Sequence, residues 1–344
     1  MKKTVLVGLS GGVDSAACCR ILMDEGYDVT ACFLRFFDQS APDRAEIVAK
    51  RLGVPLHIYD CRADFERNVI DYFVREYTEG RTPNPCARCN RTMKFASLIS
   101  FADRLGIDKV ATGHYAGVSF DRQSGRYYVS RGKDASKDQS YFLWQLTQKQ
   151  LSRVLTPLTG TVKKEVKQFC SDIVPVDTRE SNEICFVPEN DDGSFIQKRI
   201  GDNDNPILRE GNFVDINGRV LGRHKGIFRY TVGQRRGLDI SLGRRAYVLS
   251  VDAASGNIVL GYDEDCIADA VTVGNLNFSG IAEFEGELEC CVKLRYRQPP
   301  AHARVTVSDG TASVRLLSPS RLSARGQSAV FYSDDRLIFG GVIK

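Results

Sequence analysis

The sequence predicts an α/β fold, with an N-terminal doubly wound parallel sheet followed by two small all-β domains. Strand-like and helix-like segments alternate through the first third of the chain, the pattern of a parallel sheet with helices on both faces. Beyond about residue 200 helical periodicity disappears, and short alternating runs punctuated by glycine replace it. The 344 residues, 42% of them hydrophobic, suffice for two or three cores of ordinary size.

The first strand is "TVLVGL", followed by a glycine-rich turn and then "DSAACCRILMDEGY", whose apolar residues recur with helical period. "YDVTACFLRFF" reads as the second strand, "DRAEIVAKRLG" as a helix stopped by Gly53, and "PLHIYD" as the third strand. "ADFERNVIDYFVREYTEG" is a longer helix, again ended by glycine. A Pro- and Asn-rich loop, "RTPNPCARCN", separates it from helix "RTMKFASLISFADRLG" and strand "KVATGHY". In the second half, "GNFVDINGRVLG", "RRAYVLSVDAASGNIVLG", "ARVTVSDGTASVRLL" and "SAVFY" are strands joined by turn chemistry such as "DING" and "SDG". The expected units are 1–197, 198–272 and 273–344, the last break lying beside a loop at "GNLNFSG".

No segment approaches the roughly 20 apolar residues that span a bilayer. The opening "MKKTVLVGLSGG" is basic and then apolar, but glycines interrupt it and no small-residue cleavage site follows, so it reads as a strand of a cytoplasmic protein. The net charge of +4 is mild. Its distribution is not: residues 218–245 are crowded with arginine, and the tail from Lys293 is Arg-rich as well. Such stripes with interleaved Tyr and Phe suit either a polyanion-binding face or a surface paired with acids elsewhere.

Eleven cysteines are many for such a chain, yet their spacing gives no disulfide framework. Cys18, Cys19, Cys32, Cys290 and Cys291 read as core residues, and Cys61, Cys170 and Cys266 carry no recognisable context. Cys86, Cys89 and Cys185 remain. The CxxC pair alone fits a zinc half-site, a redox dithiol, cluster ligands or no function. For zinc, His57 and His114 are candidate partners, although each sits in an apparent strand with an ordinary packing role.

"GLSGGVDSA" opens the first helix directly after the first strand. Backbone N–H groups of such a turn, with the helix dipole behind them, form a cradle for phosphate. Gly11 and Gly12 allow close approach, Ser10 and Ser15 add hydroxyls, and Asp14 sits where a carboxylate would hold magnesium. The stretch lacks the Gly-Lys-Ser/Thr end of a Walker A loop and is not G-x-G-x-x-G.

The string Ser-Gly-Gly-x-Asp-Ser resembles the pyrophosphatase loop of the adenine-nucleotide α-hydrolase superfamily, whose members cleave ATP between the α and β phosphates and adenylate an acceptor. "GRTPNPCARCNRTMKF", "ATGHYA", "KDQSYFLW", "ICFV", "GQRRGL", "LRYRQ" and "GQSAVFY", in that order, resemble the tRNA-specific 2-thiouridylase family over nearly the whole chain. The resemblance implies ATP-dependent 2-thiolation of the wobble uridine: adenylation of the C2 oxygen, then displacement of AMP by sulfur. It implies that Gly8, Leu9, Ser10, Gly11, Gly12, Val13, Asp14 and Ser15 bind the ATP phosphates with Mg2+, and that Leu34, where members often carry Met, and Gly113 contact ATP. Asn84, Pro85 and Cys86 would line the target base, and Lys137, Asp138, Gln139, Arg295 and Tyr296 would contact tRNA. Cys89 matches the nucleophile and Cys185 the cysteine that receives a persulfide sulfur. Both roles need a low thiolate pKa, for which Lys94, Arg88 or a helix N-terminus are the expected sources.

The best-known form of the family reads Asn-Pro-Asp-x-x-Cys, and this chain has Cys86 at the aspartate. A carboxylate accepts a proton or a hydrogen bond at neutral pH far better than an ordinary thiol. Three cysteines, Cys86, Cys89 and Cys185, could instead hold a [4Fe–4S] cluster with one open iron that presents hydrosulfide. A Cys185 persulfide with Cys89 as nucleophile, and structural zinc, are the alternatives. A non-catalytic RNA-binding protein and a small-molecule adenylating synthetase are readings of another class. The sulfur donor stays open between a cysteine desulfurase, a carrier protein and sulfide. The acidic segment 181–193, which carries Cys185, is expected to order over the site when tRNA binds.

Overall fold

A computed structural model of the chain describes residues 3–174, 184–201 and 206–344. The N-terminal sheet contains β1 (Thr4–Gly8), β2 (Asp28–Arg35), β3 (Leu56–Asp60) and β4 (Lys109–Ala111). After the hairpin β5 (Ala116–Asp121) and β6 (Arg126–Arg131), the short β7 (Val154–Leu155) completes it. The order is β3-β2-β1-β4-β7, with every pairing parallel. The direction of strand addition reverses between β1 and β4, and doubly wound sheets bind ligands at the carboxyl ends beside such a reversal. Along β1 Val5 and Val7 face one core while Leu6 faces the other, and all three are fully buried, so the run reads as continuously apolar. Helices α1 (Val13–Asp24) and α2 (Asp43–Leu52) cover the first face, and helix Phe95–Arg104 covers the second.

Two predicted helices differ in detail. Residues 62–78 form one continuous helix with a π turn at Glu66–Ile70. The helix expected to begin near Arg91 already starts at Pro85, so Cys86 and Cys89 lie on its first turn and not in a loop. Asn84 accepts from the Ala87 N–H and Pro85 occupies the first turn, both of which start helices.

The middle segment holds β8 (Gly211–Val214), β9 (Val220–His224), β10 (Tyr247–Asp252) and β11 (Asn257–Gly261) in the order β10-β11-β8-β9, packed over Phe213, Val248 and Ile258. The last segment holds β12 (Ile267–Asn277), β13 (Gly286–Lys293), β14 (Ala301–Ser308), β15 (Thr311–Arg321), β16 (Ser328–Ser333) and β17 (Arg336–Ile343). Because β12 pairs with both β15 and β17, these six strands close into an antiparallel barrel. The loop expected at "GNLNFSG" is largely the end of β12; a register shift between Gly274 and Asn277 accounts for its turn-like composition, and the break drawn at 272/273 falls inside the strand.

The N-terminal segment also reaches into this barrel. Hairpin β5–β6 leaves the parallel sheet and pairs through Val129 and Leu337 with β17. Cys18, Cys19, Cys32 and Cys290 are buried, as the core reading requires; Cys291, on the opposite face of β13 from Cys290, is only half-buried, with its sulfur beside His302 Nδ1, and all eleven cysteines are unpaired. Among the described residues, no helix is long and apolar enough to cross a membrane.

Candidate active site

The phosphate-type loop stands at the carboxyl end of β1, at the reversal point. Gly12 caps α1 without any side-chain hydrogen bond, which leaves the first-turn amides of a 12-residue helix available to an anion. The loop is braced from inside: Ser15 Oγ donates to the Gly12 carbonyl at 2.9 Å and accepts from the Ser10 N–H at 3.2 Å. Gly11 takes φ +80°, and a Cβ there would strike Arg44 and Ala45 at 2.6–2.7 Å. Gly113, after β4, packs directly on the loop, since a Cβ would lie 2.6 Å from the Asp14 carbonyl carbon. Leu34 is the penultimate residue of β2, half-buried.

Asp14, expected to serve magnesium, already has partners. Lys163 Nζ donates to its two oxygens at 2.7 and 2.6 Å, and the Tyr115 hydroxyl donates at 2.8 Å. Lys163 escaped sequence reasoning because it lies in "TVKKEVKQ", an unremarkable helix start that only the fold brings to the loop. Tyr115 belongs to "ATGHYA" and was within reach of the motif.

His114, the residue after Gly113, lines a cavity of about 790 Å³ whose wall also includes Asn84, Pro85, Cys86, Cys89, Lys94 and Cys185. Helix Pro85–Cys89 presents the CxxC pair, and Cys185 lines the same cavity. Phe142 and Tyr296, ring centres 4.4 Å apart, form an aromatic wall that Lys293 overlies at 5.5 Å from Tyr296. His114 is buried, stacks on Phe95 and shares a 2.7 Å hydrogen bond with Thr112 through Nδ1. Burial, and then Lys94, pushes its imidazole well below the ordinary value, so it is neutral.

The expected low thiolate pKa is not present. Burial pushes Cys89 up to about 12 against the opposing pull of Lys94, and Cys185, exposed toward the cavity, is still pushed up to about 11 by desolvation. Burial raises Cys86 too. Three thiols are a soft-donor set suited to iron–sulfur or zinc. Among the described residues, however, no three His, Cys, Asp or Glu side chains stand close enough together to hold a metal ion. The zinc partners proposed from sequence do not assemble: His57 packs against Phe101 and does not line this cavity.

The remaining candidates divide. Gln139 and Tyr296 line the cavity, and Lys137 is half-buried next to Gln139. Asp138, expected to touch tRNA, is 6% exposed and accepts from the Gly132 and Ser140 N–H groups and the Ser140 hydroxyl, so it organises the "KDQS" turn. Arg295 also lines the cavity but holds a seam, donating through Nη2 to the Val232 carbonyl at 2.7 Å and the Leu322 carbonyl at 2.9 Å. Asn84 Nδ2 donates to Ser328 Oγ at 3.1 Å, which ties the CxxC helix to the barrel. Of the acidic segment carrying Cys185, residues 181–183 lie outside the described residues. In the Arg-rich stretch, Arg244 pairs with Glu264 and Lys225 with Asp239, while Arg235 and Arg236 are exposed and carry no ion pair among the described residues.

Residues 3–189 match the family described as tRNA methyl transferase HUP domain, residues 193–262 its PRC-barrel domain, and residues 268–343 the aminomethyltransferase β-barrel domain. The chain is 41% identical to tRNA-specific 2-thiouridylase MnmA 1 of Clostridium botulinum strain Loch Maree, covering 100% of both. The chain belongs to the tRNA-specific 2-thiouridylase family. Similar relatives bear the same name in Heliobacterium modesticaldum, at 42% identity over 100% of this chain and 93% of that one, and in Clostridium perfringens, at 39% over 100% and 99%. The family's three-part division matches a parallel-sheet domain followed by two β domains.

Proposed function

We propose that this protein is a tRNA-uridine 2-sulfurtransferase that uses ATP with Mg2+ to activate the wobble uridine and carries sulfur on Cys86, Cys89 and Cys185. The observation that carries this reading is that three thiols, an aromatic wall and a neutral imidazole share one cavity, and that the imidazole, His114, follows directly on Gly113, which packs on the loop at an uncapped helix N-terminus. The uracil O2 forms a bond to the α-phosphorus as the α–β P–O bond breaks, pyrophosphate leaves and the N3 proton passes to solvent. Sulfur then bonds to C2 as the C2–O bond breaks, AMP leaves and N3 regains a proton from solvent. Residues 8–15 bind the phosphates, Lys163 supplies a cation beside them, and Phe142 with Tyr296 receives a base splayed out of the anticodon stack. Lys94, inside the cavity, favours negative charge on sulfur against burial. The exposed arginines of residues 218–245 hold tRNA through its phosphates, which positions it without reading sequence. Residues 1–197, 198–272 and 273–344 would divide the work as catalytic unit, connecting β unit and tRNA-binding barrel. Eleven unpaired cysteines suit a reducing compartment, the cytoplasm.

On the cluster reading, Cys86, Cys89 and Cys185 would have to draw together around a [4Fe–4S] cluster, which would supply an iron open to hydrosulfide. That the three thiols are not gathered as a ligand set favours a second route. There a Cys185 persulfide, charged by a cysteine desulfurase or carrier protein, gives its outer sulfur to C2, and Cys89 attacks the resulting disulfide. Thiouridine leaves, Cys89–Cys185 remains as a disulfide, and a thiol reductant resets it. Iron, acid-labile sulfide and the visible spectrum of anaerobically isolated protein separate the two. About four irons per chain, lost in Cys86→Ser, support the cluster; thiolation by iron-free protein with a persulfide donor supports the second route. No tRNA-dependent thiolation with any sulfur source would refute both.

A further inference from the structure

Asn90, the residue after Cys89, is 3% exposed, yet it belongs to the wall of the thiol cavity. It opens a π turn, Asn90–Lys94, wedged between two α-helical segments. Such single-turn interruptions re-aim the side chains around them and occur often at functional sites. One end of its amide is fixed: Nδ2 donates to the Phe142 carbonyl at 3.1 Å. That bond also decides which end is which, since a reversed amide would set its oxygen against the Phe142 oxygen. The other end, Oδ1, is buried, and no donor among the described residues reaches it. Phe142, which anchors Nδ2, is also the ring that faces Tyr296 across 4.4 Å. The aromatic wall and the open acceptor are therefore positioned by the same short segment.

A uracil ring presents O2, where the reaction occurs, beside the N3–H donor. Cytosine presents an acceptor at N3. We infer that Asn90 is a specificity-determining residue whose Oδ1 accepts the N3–H of the target uracil, and that it thereby selects uracil over cytosine. The inference rests on the cavity being the base pocket, as proposed above. It needs no new group: a carbonyl with an unfilled lone pair meets the one donor on the Watson–Crick edge of the substrate. A cytosine at this place would oppose two acceptors across a water-poor wall, the kind of mismatch that rejects analogues most strongly.

The test is a two-by-two comparison. tRNA transcripts carrying uridine or 3-methyluridine at the target position are thiolated by the wild-type enzyme and by Asn90→Ala. The expected result is a loss in kcat/KM of about tenfold for either change alone, with little further loss when both are combined. Equal effects of N3 methylation in the two enzymes would overturn the inference. Asn90→Ala also cuts the tie to Phe142, so thermal stability and tRNA affinity are measured alongside. If the alanine variant does not fold, Asn90→Ser replaces it in the same comparison, and undiminished thiolation of 3-methyluridine by the wild-type enzyme refutes the assignment on its own. Tyr296→Ala and Cys89→Ser, assayed on unmodified tRNA, test the pocket separately. Full activity in both would remove the pocket itself, whatever the Asn90 comparison gives.

Discussion

Replacing Ser328 by alanine removes one hydroxyl and strands two buried donors. Ser328 is 2% exposed, and its Oγ accepts from Asn84 Nδ2 at 3.1 Å and from Trp144 Nε1 at 2.9 Å. A buried donor left without a partner costs about 1–3 kcal/mol, so two cost about 2–6 kcal/mol, and partial relaxation brings the expected loss to about 3 kcal/mol. Asn84→Ala perturbs the same contact from the other side but removes one of the donors with it. It leaves Ser328 bonded to Trp144 and loses the cap on the Ala87 N–H and a contact with the Tyr141 hydroxyl, which still donates to the Ser328 carbonyl, for about 1 kcal/mol. Ser328→Ala is therefore the more damaging change, although Asn84 is the residue beside the cysteines. Urea unfolding followed by tryptophan fluorescence measures both, because Trp144 is the sole tryptophan and lies inside the network. A Ser328→Ala loss below about 0.5 kcal/mol, or one no larger than that of Asn84→Ala, would refute the argument.

Gly113→Ala drives a Cβ to 2.6 Å from the Asp14 backbone; displacement of a fluorescent ATP analogue should weaken more than tenfold while tRNA affinity holds, and unchanged ATP affinity would contradict the packing. Lys163→Met uncovers the Asp14 carboxylate beside the phosphate loop, and ATP affinity is expected to fall by about 10–100-fold, read by the same displacement; an unaltered affinity would leave Lys163 a purely structural pair. The Cys89 thiol is held protonated by burial, so alkylation measured by mass spectrometry should rise with pH toward a midpoint near 12, and a midpoint at pH 7–8 would show that the cavity is wetter than described. The linked stability has the same sign: a raised pKa means that folding stability is intact below about pH 9 and declines as pH climbs toward 12.

The turn from β1 into α1 was legible because strand, glycine turn and helix start are all local, so Gly8 to Ser15 stand out in one stretch. The cysteines are legible as a pair, but their setting is not: Asn and Pro are common turn residues, and the same two types at 84 and 85 here cap and begin a helix. Asp138 reads as an exposed acid in a polar run, and nothing in "KDQS" reveals that it faces three donors inside the fold. Lys163 and Ser328 were invisible for a simpler reason. Their importance consists in meeting residues 149 and 244 positions away, Asp14 and Asn84, and no local periodicity encodes such a meeting. The low thiolate pKa inferred from nearby cations failed on magnitude, since Lys94 lowers Cys89 by less than burial raises it.

The hairpin that crosses from the first segment into the barrel sets a schedule for synthesis. Strand β6 finds its neighbour β17 only when Leu337 emerges, roughly two hundred residues after Val129, or roughly 10–40 s at ~5–20 residues per second. During that interval the ribosome holds out a finished parallel sheet with one naked strand edge beside it. An edge of that kind recruits other strands. A newborn chain of this protein thus passes through a sticky intermediate that the mature molecule conceals, and a truncation before the last strand would make that intermediate permanent.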